Sequence, residues 1–154
     1  MKKKMKKIVF KAKVKAEKQR ICIRFPEDTK LKLKERAEKD YKGRGKQSEL
    51  VEDAIKYFLY CAQSVNWQNY EKDTDYLELI DDISEGLNQS NLGSPTQVFL
   101  TTETVEKLTQ LETRVILSKP SLRDSRTGLI RKAVSIRLSI ESKGFFDNLM
   151  SLDE

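Results

Sequence analysis

A chain of 154 residues is the size of one domain or of two very small ones, which excludes a large multi-domain enzyme. It carries 30 Lys and Arg against 24 Asp and Glu, a formal +6, and no histidine. That absence removes His-based acid–base catalysis, Ser-His and Cys-His nucleophile pairs and imidazole metal sites. Cys22 and Cys61 stand far apart without a CxxC pattern, so two semi-buried thiols in a reducing cytosol are expected, with neither a disulfide framework nor a zinc site. No apolar run approaches the ~20 residues of a membrane span. The basic start has only Ile8, Val9 and Phe10 as its apolar stretch, too little for an export signal, and a cytoplasmic location is expected.

The charge is unevenly placed. Residues 1–60 carry 20 basic and 9 acidic side chains (+11), residues 61–95 carry 1 and 7 (−6), and residues 96–154 carry 9 and 8 (+1). A basic N-terminal third predicts attraction to a polyanion. Half of residues 1–18 are lysine, which reads as a flexible arm. Arg20-Ile21-Cys22-Ile23-Arg24-Phe25 then alternates with period two until Pro26, predicting a short strand with Ile21, Ile23 and Phe25 on one face. Pro26-Glu27-Asp28 opens a helix whose Leu33, Ala37 and Tyr41 recur at helical spacing up to the break at Gly43-Arg44-Gly45. A second helix carries the stripe Leu50, Val51, Ala54, Ile55, Phe58 and Leu59. Residues 61–95 form an acidic connector with one packed helix. Tyr76, Leu77, Ile80, Ile83 and Leu87 share its face, Asp73 or Thr74 caps its start, and residues 88–95 form a loop.

The pattern then repeats. Thr96–Thr101 is a second strand, Val105, Leu108, Leu111 and Val115 mark a helix, and Leu129, Ile130, Ala133, Val134 and Leu138 mark another after a turn at Pro120. The strand and first helix superpose at an offset of 75 residues, as Phe25 on Leu100, and the second helix at 79, as Ala54 on Ala133. Such a strand-helix-helix unit cannot bury its apolar faces alone, and its single strand has no ladder partner, so two units must pair.

The run RICIRFPEDTKLKLKERA followed by KGRGKQSELVEDAIKYFL resembles the ribbon-helix-helix DNA-binding family, to which the Arc and methionine repressors belong. The run QVFLTTETVEKLTQL followed by SRTGLIRKAVSIRL is a more divergent second copy. The resemblance covers residues 19–60 and 96–140, leaving an arm (1–18), the connector (61–95) and a C-terminal tail (141–154). It implies a mainly α fold with a two-stranded antiparallel ribbon, formed as an intramolecular pseudo-dimer. Tandem copies are also similar to accessory proteins of conjugative plasmid and T-DNA transfer.

A ribbon of this kind fits the major groove of double-stranded DNA. The resemblance makes Arg20, Cys22 and Arg24 outward residues of the first copy. Arg20 and Arg24 lead as base readers, because a guanidinium matches the paired acceptors of guanine. In the second copy the same register makes Gln97 a reader of adenine and Phe99 an apolar contact for a thymine methyl; a one-residue slip would instead pack the Phe99 ring inward. The start of each second helix is expected to hold phosphate, through Arg44, Lys46, Gln47 and Ser48 in one copy and Ser125, Arg126 and Thr127 in the other. Ser48 and Ser125 equally suit ordinary capping or first-turn chemistry, and Lys119 and Arg123 read as solvated surface.

The function expected is sequence-specific DNA binding, as a transcriptional repressor or a plasmid transfer or maintenance factor, with no cofactor and no enzymatic chemistry. Because the two strands differ, the DNA element is expected to be non-palindromic, and self-association on DNA is left open. The alternative is an antitoxin-like protein that binds a partner through Gly144–Met150, against which stands the reading that this apolar tail caps the chain's own core. Membrane binding through the lysines lacks an amphipathic apolar face.

Overall fold

A computed structural model describes residues 17–43, 45–140 and 143–151. The lysine-rich segment up to residue 16, and Arg44 with it, lie outside the described residues. The chain is mainly helical with one two-stranded antiparallel sheet. In order it runs β1 (Lys18–Ile23), α1 (Glu27–Asp40), α2 (Lys46–Ala62), a short 3-10 stretch (Trp67–Lys72), α3 (Thr74–Leu87), β2 (Thr96–Thr101), α4 (Thr102–Ser118), α5 (Ser125–Ser139) and α6 (Lys143–Ser151).

The local chemistry explains these boundaries. β1 begins two residues before Arg20 and stops before Pro26, which occupies the N-cap position of α1, with Glu27 and Asp28 in the first turn where the dipole favours acids. Phe25, just past the strand, is fully buried. Between α1 and α2 the chain turns through Gly43 and Gly45 at φ of +86° and +73°, a region a Cβ disfavours. The stripe on α2 is buried at Leu50, Val51, Ala54, Ile55 and Phe58, and its counterpart on α5 at Leu129, Ile130, Ala133 and Val134; Leu59 and Leu138 are partly covered. With Leu33, Ile83, Leu100 and Leu108 these side chains form one continuous core.

The connector helix α3 belongs to that core. Tyr76, Leu79, Ile80 and Ile83 are buried, whereas Leu77 is half exposed, a correction to the expected face. Leu79 stands three residues after Tyr76 and four before Ile83, on the buried row, and Leu77 is turned away from it. Asp73 occupies the N-cap position without capping: its carboxylate accepts the Asn66 N–H at 2.6 Å. α3 crosses α5 at two glycines. A Cβ on Gly86 would lie 1.9 Å from the Gly128 carbonyl oxygen, and one on Gly128 would lie 2.3 Å from the Ile83 carbonyl oxygen, so the backbones meet with no room for a methyl group.

The C-terminal helix α6 places one ring against α2 and α5. Phe146 is buried, edge-on to Tyr57 with centroids 5.7 Å apart, and the guanidinium of Arg137 lies 4.7 Å from its ring centre. Arg137 is itself fully buried and donates to Asp40 Oδ2 at 3.2 Å and to the Ile140 carbonyl at 3.1 Å, partners that a buried charge requires. Beside it the Tyr41 hydroxyl donates to Asp53 Oδ2 at 2.5 Å. Burial, followed by this bond to a carboxylate, pushes the Tyr41 phenol above its usual range; burial likewise raises Asp53, against the pull of Tyr41, Lys143 and Lys56. The two cysteines depart from expectation: Cys22 and Cys61 are both exposed, because Cys22 has the outward parity of its strand and Cys61 lies off the buried stripe of α2.

Candidate nucleic-acid interface

The ribbon is built by alternation. β1 and β2 pair antiparallel, with Lys18 opposite Thr101, Arg20 opposite Phe99 and Cys22 opposite Gln97. Ile23, Val98 and Leu100 point into the core. Lys18, Arg20, Cys22, Gln97 and Phe99 stand on the other face, all exposed. Cys22 pairs directly with Gln97, its counterpart at the 75-residue offset, so the ribbon is centred on that pair. Phe99 is 46% exposed, which places its ring outward and excludes the one-residue slip.

The outward residues are not equivalent. Arg20 makes no hydrogen bond or ion pair among the described residues. Arg24 lies beyond the end of β1 and donates from Nε to the Gly93 carbonyl at 2.7 Å and from Nη2 to the Leu92 carbonyl at 3.3 Å. The last residues of the connector are locked beside it, with Gly93 N–H donating to Phe25 O at 2.8 Å and Glu27 N–H to Asn91 O at 3.0 Å. Lys18, assigned to the arm by sequence, adds another outward position. Its parity matches Arg20, but polar Gln19 on the inward parity hid the continuation of the strand.

At the helix starts, Ser48 is buried and its Oγ accepts the Phe99 N–H at 2.9 Å, bracing α2 against the outer edge of β2. Lys46 and Gln47 are half-buried, with Lys46 Nζ 4.0 Å from Glu38. Ser125 is buried, and its hydroxyl has no partner among the described residues. Arg126 turns along α4, donating to Thr109 Oγ1 at 2.7 Å and Glu112 Oε1 at 3.2 Å, and Thr127 is half-buried. Both serines lie in the first turn of their helices rather than at the N-cap positions, Gly45 and Asp124, which make no side-chain cap bond. Lys119 and Arg123 are exposed, as expected.

The two copies also brace the ribbon with opposite chemistry. Glu52 accepts from the Thr101 N–H at 2.6 Å and its hydroxyl at 3.1 Å. The residue 75 before Thr101 is Pro26, which has no N–H, and the residue 79 after Glu52 is Arg131. Arg131 donates from Nε to the Arg24 carbonyl at 2.7 Å. Burial, and then the nearby charge of Arg24, hold the Arg131 guanidinium below its usual range. Sequence reasoning missed Glu52, Arg131 and Arg137; the signal was charge placed within otherwise apolar helix faces.

Among the described residues no cluster suited to a metal ion occurs, and no helix is long and apolar enough to cross a membrane. No family model, curated protein or solved structure matches the chain.

Proposed function

We propose that the chain is a sequence-specific double-stranded DNA-binding protein that inserts its ribbon into the major groove. In this reading the tandem ribbon-helix-helix copies act as an intramolecular pseudo-dimer. The observation that carries it is the outward face of β1 and β2, where Lys18, Arg20, Cys22, Gln97 and Phe99 are exposed on a two-stranded ribbon. A ribbon of that width is what the major groove admits, and its side chains carry groups suited to base edges. The starts of α2 and α5, free of side-chain caps, offer main-chain N–H groups to phosphate beside the groove. Its biological role on this reading is transcriptional repression or plasmid transfer or maintenance.

Selection of duplexes from a random pool, followed by titration of the selected and a scrambled duplex, tests the proposal. A selected duplex should bind at least about 1,000-fold more tightly than the scrambled one. Failure to bind either duplex at low salt would refute it. The alternative, a tail that docks on a partner, has less support because Phe146, the buried ring of that segment, packs within the chain's own core.

A further inference from the structure

We propose that recognition is polar along the ribbon: Arg20 and Phe99, at one end, specify the bases, while Arg24, at the other, is held back from the DNA as a positioning residue. This rests on the DNA-binding reading. Arg20 and Phe99 face one another across the strands, both exposed, and Arg20 has no competing partner among the described residues. An exposed guanidinium beside an exposed ring suits a guanine next to a thymine, the first through its two acceptors and the second through its methyl group.

The other end is built differently. The guanidinium of Arg24 is divided between the carbonyls of Gly93 and Leu92, and its own carbonyl is held by Arg131. Lys30 further anchors the same loop through the carbonyl and hydroxyl of Ser94, at 3.2 and 2.9 Å. Turning Arg24 toward a base would break charge-assisted bonds worth about as much as the guanine contact returns. Pro95, the counterpart of Arg20 at the 75-residue offset, offers no hydrogen-bond donor in its side chain. The end of the ribbon that the repeat would make a second reading head is thus fastened to the connector.

The test compares Arg20→Ala, Phe99→Ala and Arg24→Ala in the full chain, with Arg24→Gln as a second variant should the alanine loosen the loop. Each is titrated against the selected and a scrambled duplex, with circular dichroism melting to establish that it folds. Arg20→Ala should lower the ratio of specific to scrambled affinity about tenfold or more, Phe99→Ala should lower it severalfold, and the Arg24 variants should change it by less than about twofold. The selected sequences should be informative on one side of their centre only. An Arg24 variant that folds yet loses as much preference as Arg20→Ala, or selection of symmetric half-sites, would overturn polar reading. Binding with no sequence preference in the unaltered chain would also defeat it, while leaving DNA binding itself intact.

Discussion

Glu52 accepts the main-chain N–H of Thr101 at 2.6 Å, from a side chain that is nearly buried. The bond ties the second strand to the second helix of the other copy, and with the Ser48–Phe99 bond it occupies two successive outward N–H groups along β2. Glu52→Ala should cost about 2 kcal/mol, since it leaves a main-chain donor without its charged acceptor. Glu52→Gln keeps an acceptor oxygen and should cost less. Urea unfolding of both variants checks this, and a loss under about 0.5 kcal/mol for the alanine would show that water replaces the carboxylate.

The crossing of α3 on α5 gives a second expectation. Alanine favours a helix over glycine by about 1 kcal/mol, so Gly86→Ala and Gly128→Ala would stabilise an isolated helix. Here each new methyl group meets main-chain atoms of the opposite helix well inside contact distance, and the helices must separate along a buried seam. A net destabilisation of about 2–3 kcal/mol is expected, with the overpacking cost exceeding the propensity gain. Neutral or raised melting temperatures for both variants would mean that α3 is not clamped there.

Asp53 carries a pH signature. Its carboxyl is raised above the usual carboxylate range, first by burial, while Tyr41, Lys143 and Lys56 pull it down and Asp147 adds to the rise. A raised folded-state value means the folded chain holds this proton more tightly than the unfolded chain. The contribution to stability is full below the ordinary value of about 4 and is lost as pH rises through the raised value. Asp53→Asn retains an acceptor for Tyr41 but cannot titrate. The melting temperature of the unaltered chain relative to this variant should therefore fall with rising pH across that window, and a flat difference would assign the proton elsewhere.

Lys46 separates phosphate contact from base reading. On the DNA-binding reading, Lys46→Ala should weaken selected and scrambled duplexes by a similar factor. It should also reduce the slope of log affinity against log salt by about 1. A loss confined to the selected duplex would make Lys46 a base contact instead.

Much of this architecture was readable because it is periodic. The stripes on α2 and α5, the alternation of β2 and the break at Gly43 and Gly45 are local patterns, and they fall where the spacing put them. Gln97 is the counterpart of Cys22 at the offset of 75, but the offset alone did not fix the register that pairs them. What escaped depends on residues far apart in the chain. The tether of Arg24 spans 69 positions, and Arg131 reaches Arg24 across 107. Leu77 and Leu79 both fit a loose helical spacing, and only the placement of α3 against α5 decides between them. Within the candidate interface, parity was legible, whereas the engagement of each side chain was not.

The bracing of the ribbon also limits which copies can pair. If two first copies from different chains came together, Glu52 of each would meet Pro26 of the other, which has no N–H to donate. If two second copies did so, Arg131 would approach the N–H side of Thr101, setting donor against donor. On the tandem-copy reading, divergence between the repeats disfavours like with like: Pro26 removes the N–H that Glu52 would need, and Arg131 would set a donor against a donor.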